Sequence, residues 1–218
     1  MASRDKLEET RRPAPRLYLV APPHAAGLEN MLAGSLGVVD IAAVLLRLPA
    51  SDERGRTGYA KALAPTIQRN GTALLLDGSV ELAARAGADG AHVAGLANLE
   101  VALATLKPER IAGCGALVTR DDAMRAAEAG ADYVMFGDPD ESGQRPPFDA
   151  VTERVTWWAE LFEVPCVGYA MAPAEIAPLA AAGADFVAMG EWVFADPSRA
   201  SAALTDAARA LAGMETAA

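Results

Sequence analysis

Short, continuous apolar runs alternate along the chain with longer stretches in which alanine, leucine and valine recur at three- and four-residue spacing. The runs are RLYLVAP (16–22), DIAAVLLRLP (40–49), TALLLDG (72–78), DGAHVAG (89–95), RIAGCG (110–115), ADYVMFG (131–137), VPCVGYA (164–170) and ADFVAMG (184–190). An unbroken apolar run of this length, closed by Gly or Pro, predicts a strand buried on both faces of a parallel sheet. The intervening stretches predict helices near 25–36, 55–69, 79–87, 97–107, 120–130, 148–163, 173–183 and 197–212.

Three of the joints share one string. ARAGADGAHVAG (84–95), AEAGADYVMFG (127–137) and AAAGADFVAMG (180–190) each carry an Ala-rich helical end, a Gly, an Ala-Asp pair and an apolar run. The Gly suits the left-handed residue that ends a helix, and the Asp opens the strand that follows. Asp89, Asp132 and Asp185 stand 43 and 53 residues apart, room for two strand–helix units per interval, and one further run falls in each gap. Eight such units in little more than 200 residues predict a single α/β domain, a (β/α)8 TIM barrel; a doubly wound open sheet is the competing arrangement. The expected layout is a flexible N-terminal arm (1–15), the barrel (16–212) and a short C-terminal tail (213–218).

A barrel of this kind keeps its chemistry at the C-terminal ends of the strands, whereas helix-to-strand joints lie at the other end. The repeated Asp residues are therefore expected to be structural, tying down loop amides. Candidate functional residues are those closing the runs: His24, Arg47, Asp77, His92 to Gly95, Gly115, Gly137 to Asp140 with Asp138 among them, Gly168 to Ala170 with Tyr169, and Gly190 to Trp192 with Glu191. Arg47 is either a cation at the mouth or a surface arginine paired with a loop carboxylate. Asp77 reads as a base, a metal ligand or a cap before Gly78-Ser79, and His92 as a hydrogen-bonded core residue or a catalyst. Gly168, Tyr169, Gly190 and Glu191 occupy the position after the last two strands where such barrels bind phosphate through backbone amides. The charge of Glu191 and the bulk of Tyr169 oppose that use. No lysine falls at a strand end, since Lys6, Lys61 and Lys107 lie elsewhere, which argues against Schiff-base chemistry.

Composition narrows the partners. A formal charge of −10 disfavours nucleic acid and anionic lipid, so neither nucleic acid nor membrane is expected. The opening MASRDKLEETRRPAPR lacks an apolar core and no later run approaches the roughly 20 apolar residues of a membrane span, which makes cytoplasm the expected location. Cys114 and Cys166 each sit inside an apolar run and are expected to be reduced and buried. In FDAVTERVTWWAELF (148–162), Val151, Val155, Trp158 and Phe162 follow helical spacing, with Trp157 and Leu161 widening the apolar face. That width reads as a broader core stripe or as a homodimer contact through Trp157.

The order RLYLV, LLR, SVELAARAGADGAHV, ERIAGCG, AMRAAEAGADYVMFGDP and AAAGADFVAMG resembles the thiamine phosphate synthase and TenI family over roughly residues 16–212. The resemblance implies a barrel that joins a pyrimidine diphosphate to a thiazole phosphate, with Mg²⁺ and basic residues supporting pyrophosphate departure. It implies a small phosphorylated metabolite as partner. The family's second-strand Gln-Leu-Arg-acidic-Lys falls on LLRLP, where Arg47 matches and Leu45 and Pro49 replace Gln and Lys. Its Asn-Asp-Arg after the third strand falls on Asp77, Gly78 and Ser79, so the magnesium Asp is lost unless Asp77 takes its place. The second magnesium carboxylate lands near Ala97, and the Ser and His after the fifth strand on Gly115 and Leu117. The Thr- and Lys-containing loop after the sixth strand reads GDPDESGQRPP. One missing electrostatic group costs about 3 kcal/mol in a barrier of this type, so the inherited synthase activity is expected to be weak or absent. The readings to separate are a divergent synthase using Arg47, Asp77 and the Asp138/Asp140/Glu141 loop differently, a ligand-binding or regulatory barrel, and a barrel enzyme on another small phosphorylated metabolite with Asp77 or Glu191 as base.

Overall fold

A computed structural model of the chain describes residues 13–23, 27–140, 142–196 and 198–215, with side chains to residue 212. His24, Glu141 and the charged arm to residue 12 lie outside the described residues. Eight parallel strands close on themselves in chain order: β1 (Arg16–Ala21), β2 (Ile41–Leu46), β3 (Ala73–Asp77), β4 (Gly90–Ala94), β5 (Ile111–Gly115), β6 (Tyr133–Phe136), β7 (Cys166–Ala170) and β8 (Phe186–Met189). Closure is made by β1 against β8, with Arg16 to Leu19 in register with Phe186 to Met189. The helices are α1 (Leu28–Ser35), α2 (Glu53–Gln68), α3 (Val80–Ala86), α4 (Gly95–Leu106), α5 (Arg120–Ala129), α6 (Phe148–Leu161), α7 (Ile176–Ala181) and α8 (Ala200–Glu215). This is the (β/α)8 barrel expected from the alternating pattern, and the open sheet is excluded by its closure.

The repeated string has one structure in three places. Gly87, Gly130 and Gly183 have φ of 73°, 106° and 94°, the left-handed region that Gly enters without a Cβ clash. In each copy the Gly amide reaches back to the third carbonyl before it and the next amide to the fifth, as in Ala131 N to Ala126 O at 3.1 Å. The Ala after the Gly is buried in all three copies. The Asp carboxylate then accepts a backbone N–H from the strand before its own: Asp89 from Leu74 at 2.7 Å, Asp132 from Ala112 at 2.7 Å and Asp185 from Cys166 at 2.8 Å. The amides held are thus those at the N-terminal ends of β3, β5 and β7, not loop amides. The Asp residues take further partners, Gln68 for Asp89 and Lys107 for Asp132. Asp40, before β2, holds the corresponding place with a different partner, the guanidinium of Arg16 at 2.8 and 2.9 Å.

Two apolar clusters divide at the sheet. The larger lies between strands and helices, from Leu17 and Val44 to Trp158 and Leu204. The smaller fills the barrel with Tyr18, Val20, Ala43, Leu45, Leu75, Tyr133, Met135, Val167, Tyr169 and Ala188. Strand β5 contributes glycine to this interior, and a methyl group on Gly113 would stand 2.0 Å from the Tyr133 ring. The tyrosine fits because the neighbouring strand carries no side chain at the paired position.

Local differences from the expected helices follow capping chemistry. Helix α2 starts at Glu53 because Asp52 accepts the Gly55 amide at 2.8 Å. Pro173 opens a 3₁₀ turn (Pro173–Glu175) before α7, and a second such turn (Glu191–Phe194) precedes α8. Val151, Val155 and Trp158 of α6 are buried; Trp157 packs partly on the core under the guanidinium of Arg120, 4.8 Å from the ring centroid, while Leu161 is exposed. No helix among the described residues is long and apolar enough to cross a membrane. Cys114 and Cys166 are buried and form no disulfide, and burial pushes the Cys114 thiol up to about 12.

Candidate active site

The C-terminal ends of β2, β3, β6, β7 and β8 bring Arg47, Asp77, Asp138, Tyr169, Gly190 and Glu191 to one mouth, at the end opposite Asp89, Asp132 and Asp185. A cavity of about 470 Å³ opens there, lined by Arg47, Asp140, Tyr169, Gly190, Glu191 and Trp192 together with Pro139, Gly143 and Met171. Gly168 does not line it. Its missing side chain faces outward, and a methyl there would stand 2.8 Å from Leu179 of α7, so this glycine serves helix packing. Gly190 makes room for Tyr169, whose hydroxyl lies 2.7 Å from where a Cβ would be.

Arg47 is held from two sides. Its Nε donates to Asp77 Oδ2 at 3.1 Å and its Nη1 donates to Glu191 across the end of β1. Burial pulls the guanidinium's pKa down, and Asp77, Tyr169 and Glu191 more than offset it, so Arg47 stays above its ordinary value and fully charged. Arg47 stands at the mouth with its charge answered by two carboxylates. These partners are partly solvated, so each contributes about 1 kcal/mol or less.

A rim segment missed by sequence reasoning is fixed by Arg145. It pairs with Glu175 with both side chains largely buried, donates to the Tyr169 carbonyl at 3.0 Å, and lies over the Phe148 ring. Glu175 also accepts the Met171 amide at 2.7 Å. Asp140, accepting from Ser142 and Gln144, shapes the turn beside it. Nothing in the string GDPDESGQRPP marks this arginine, whose partner lies 30 residues on.

Beneath the mouth a polar chain crosses the barrel interior. Tyr18 Oη lies 2.9 Å from Tyr133 Oη, which lies 2.9 Å from His92 Nδ1. Hydrogen-bond accounting sets its direction. If His92 donated from Nδ1, Tyr133 would donate to Tyr18, whose buried proton would find no acceptor among the described residues, at a cost of about 1–3 kcal/mol. Tyr18 therefore donates to Tyr133 and Tyr133 to His92, leaving the imidazole proton on Nε2. Burial lowers the His92 pKa, more than the nearby Asp138 and Asp77 restore, so the ring is neutral near pH 7.

His92 Nε2 and Asp138 Oδ2 converge over Gly115: a methyl there would stand 2.7 Å from each. Asp138 accepts the Ala116 amide at 2.9 Å, from a residue held at φ 52°, where an L side chain is strained. Burial raises the Asp138 carboxyl above its usual range, against the opposing pull of His92 and the Ala116 amide. His92 is thus a buried, hydrogen-bonded residue, held by Tyr133 at one nitrogen and near Asp138 at the other. The tyrosines that orient it carry a weak sequence signal, standing at inward positions of the first and sixth apolar runs.

Among the described residues no three His, Cys, Asp or Glu side chains come together as a metal-holding group. Asp77 and Glu191 both face the Arg47 guanidinium, so the residues present do not fit a resident magnesium ion.

The geometry defines a parallel barrel with a small-molecule cavity at its C-terminal mouth, an acidic lining and one paired cation. The model of the family described as thiamine monophosphate synthase (TMP-TENI) matches residues 17–193. The thiamine-phosphate synthase of Rhodospirillum centenum is 36% identical over 208 residues, covering 91% of this chain and 98% of that one. That of Erythrobacter litoralis is 33% identical, with 89% and 95% covered. The chain belongs to the thiamine monophosphate synthase family. Among solved structures, thiamine phosphate pyrophosphorylase from Pyrococcus furiosus superposes with a TM-score of 0.73 at 20% identity, over 91% of this chain and 96% of that one, a likeness of fold.

Proposed function

We propose that this chain is a divergent member of the thiamine phosphate synthase and TenI family, a barrel that takes a small metabolite at its mouth and in which joining a pyrimidine diphosphate to a thiazole phosphate is weak or lost. The observation that carries this reading is the pairing of Arg47 with both Asp77 and Glu191. A departing pyrophosphate needs its growing charge met by cations, and the cation lining the cavity is already neutralised twice over, with Asp140 adding a further negative charge to the wall. Asp138 faces the interior from the same end. Each unmet contact of this kind costs about 3 kcal/mol of barrier, a factor of about 100 in rate.

The purified protein, supplied with the pyrimidine diphosphate, the thiazole phosphate and Mg²⁺, is expected to give no thiamine phosphate above the blank by chromatography. Product formed at the rate of an ordinary catalyst, about 1 s⁻¹ or more, would overturn the reading. A ligand-binding role is favoured by the fixed rim: the largely buried Arg145–Glu175 pair fastens the Tyr169 carbonyl and the Met171 amide, which suits a preformed cavity. Asp77 and Glu191 are poor candidates for a base, because both carboxylates are taken up by the Arg47 guanidinium.

A further inference from the structure

The geometry points to a second binding site at the floor of the barrel, the end opposite the mouth, which takes a small uncharged aromatic molecule of the size of benzene. It is separate from the ligand site at the mouth, so it stands whether or not the reading above holds.

The site arises from strand register. Ala43 of β2 lies in register with Tyr18 of β1 on one side and with Ala73 of β3 on the other, so two adjacent strands present only methyl groups to the barrel interior at this level. The volume they leave stays open as a cavity of about 140 Å³, walled by Tyr18, Leu75, Tyr133 and Val167. All four are buried. Its rim is formed by Ala73, Ile111 and Phe186, the first residues of β3, β5 and β8. These three are only partly buried, which gives a small guest a way in from solvent without opening the barrel.

The lining selects the occupant. Water settles in a cavity of this size only where about two to four polar partners meet it. The polar side-chain atoms of the wall are the Tyr18 and Tyr133 hydroxyls, which bond to each other at 2.9 Å, Tyr133 bonding also to His92. Arg16 is the charged group at the edge, and its Nε and Nη2 are given to Asp40 at 2.9 and 2.8 Å, so its charge is already answered. An uncharged apolar guest therefore gains contacts here that water and ions do not. An apolar cavity of about 150 Å³ takes up benzene or xenon, a volume close to this one. Tyr18, Tyr133 and Phe186 set three aromatic rings in the lining, which favours an aromatic guest over an alkane through edge-to-face contact. Two of these rings begin the hydrogen-bonded chain to His92, so the site borders the polar interior beneath the mouth.

The test titrates benzene into the wild-type protein, followed by methyl carbon–proton NMR. Saturable ring-current shifts are expected at Ala43, Ala73, Leu75, Ile111 and Val167, and benzene at about ten times its dissociation constant should raise the melting temperature by about 3–6 °C. Ala73→Leu and, as a second filling variant, Ala43→Val should abolish both effects while keeping the wild-type circular dichroism. Benzoate at the same concentration should leave these methyl groups unshifted, because its carboxylate would be buried without a partner. Shifts that are absent or do not saturate in the wild-type protein, shifts centred on Ile176 and Val193 instead, or shifts undiminished in the filling variants overturn the site. Benzoate bound as tightly as benzene overturns the uncharged class. Each of these results leaves the outcome of the synthase assay untouched.

Discussion

Replacing Asp185 with alanine removes the carboxylate that accepts the amide of buried Cys166, 2.8 Å away at the head of β7. An unpaired buried donor costs about 1–3 kcal/mol. Taking about 2 kcal/mol, and about 2–4 °C per kcal/mol for a domain of this size, Asp185→Ala should lower the melting temperature by about 4–8 °C. Asp89 and Asp132 hold Leu74 and Ala112 in the same way, with different partners, so the three losses should add. A triple variant would then forfeit about 6 kcal/mol, within the range of total stability of an ordinary domain, and should be largely unfolded at room temperature. Urea unfolding followed by circular dichroism reads each single loss. A change below about 0.5 kcal/mol in all three single variants would refute the idea that the repeated Asp residues tie neighbouring strands together.

Glu191→Gln removes one of the two carboxylates on Arg47 and should raise the affinity for inorganic pyrophosphate about 3- to 10-fold by calorimetry without metal; unchanged affinity would mean Arg47 does not govern anion binding. His92 has its pKa lowered in the folded protein, chiefly by burial, so the unfolded chain binds the extra proton first as pH falls. Its contribution to stability is therefore complete above the unfolded value, about 6.5, and is lost as pH drops below that toward the folded value. The loss of stability between pH 7 and pH 5 should be smaller in His92→Gln than in wild type by urea titration, and identical slopes would contradict a buried neutral ring. Asp138, with its pKa raised, contributes in the opposite sense: stability falls as pH rises above the unfolded carboxyl value of about 3.9.

The scaffold was legible because its determinants are local. A Gly that must take φ near 90°, a small Ala to bury and an Asp to hold an amide are all written within four residues, and they recur at two-unit spacing. Continuous apolar runs marked all eight strands, since strands covered on both faces leave no polar alternation. The rim was legible as positions but not as partners. Arg47 could be placed at a strand end, yet its contact with Glu191 joins residues 144 apart through barrel closure. Gly168 shows the limit of a position-based reading, because alternation turns its open side toward Leu179 rather than the mouth. The interior chain from Tyr18 to His92 depends on three strands meeting across the barrel and on the empty places at Gly113 and Gly115, which no spacing along the chain reveals.

One titration decides whether the mouth still holds the pyrophosphate of the family reaction. Titration of the wild-type protein with pyrophosphate in the presence of Mg²⁺, followed by calorimetry, should show no saturable heat up to about 1 mM, because Asp77 and Glu191 already occupy Arg47. Saturable binding with a Kd of about 10 μM or tighter would contradict it.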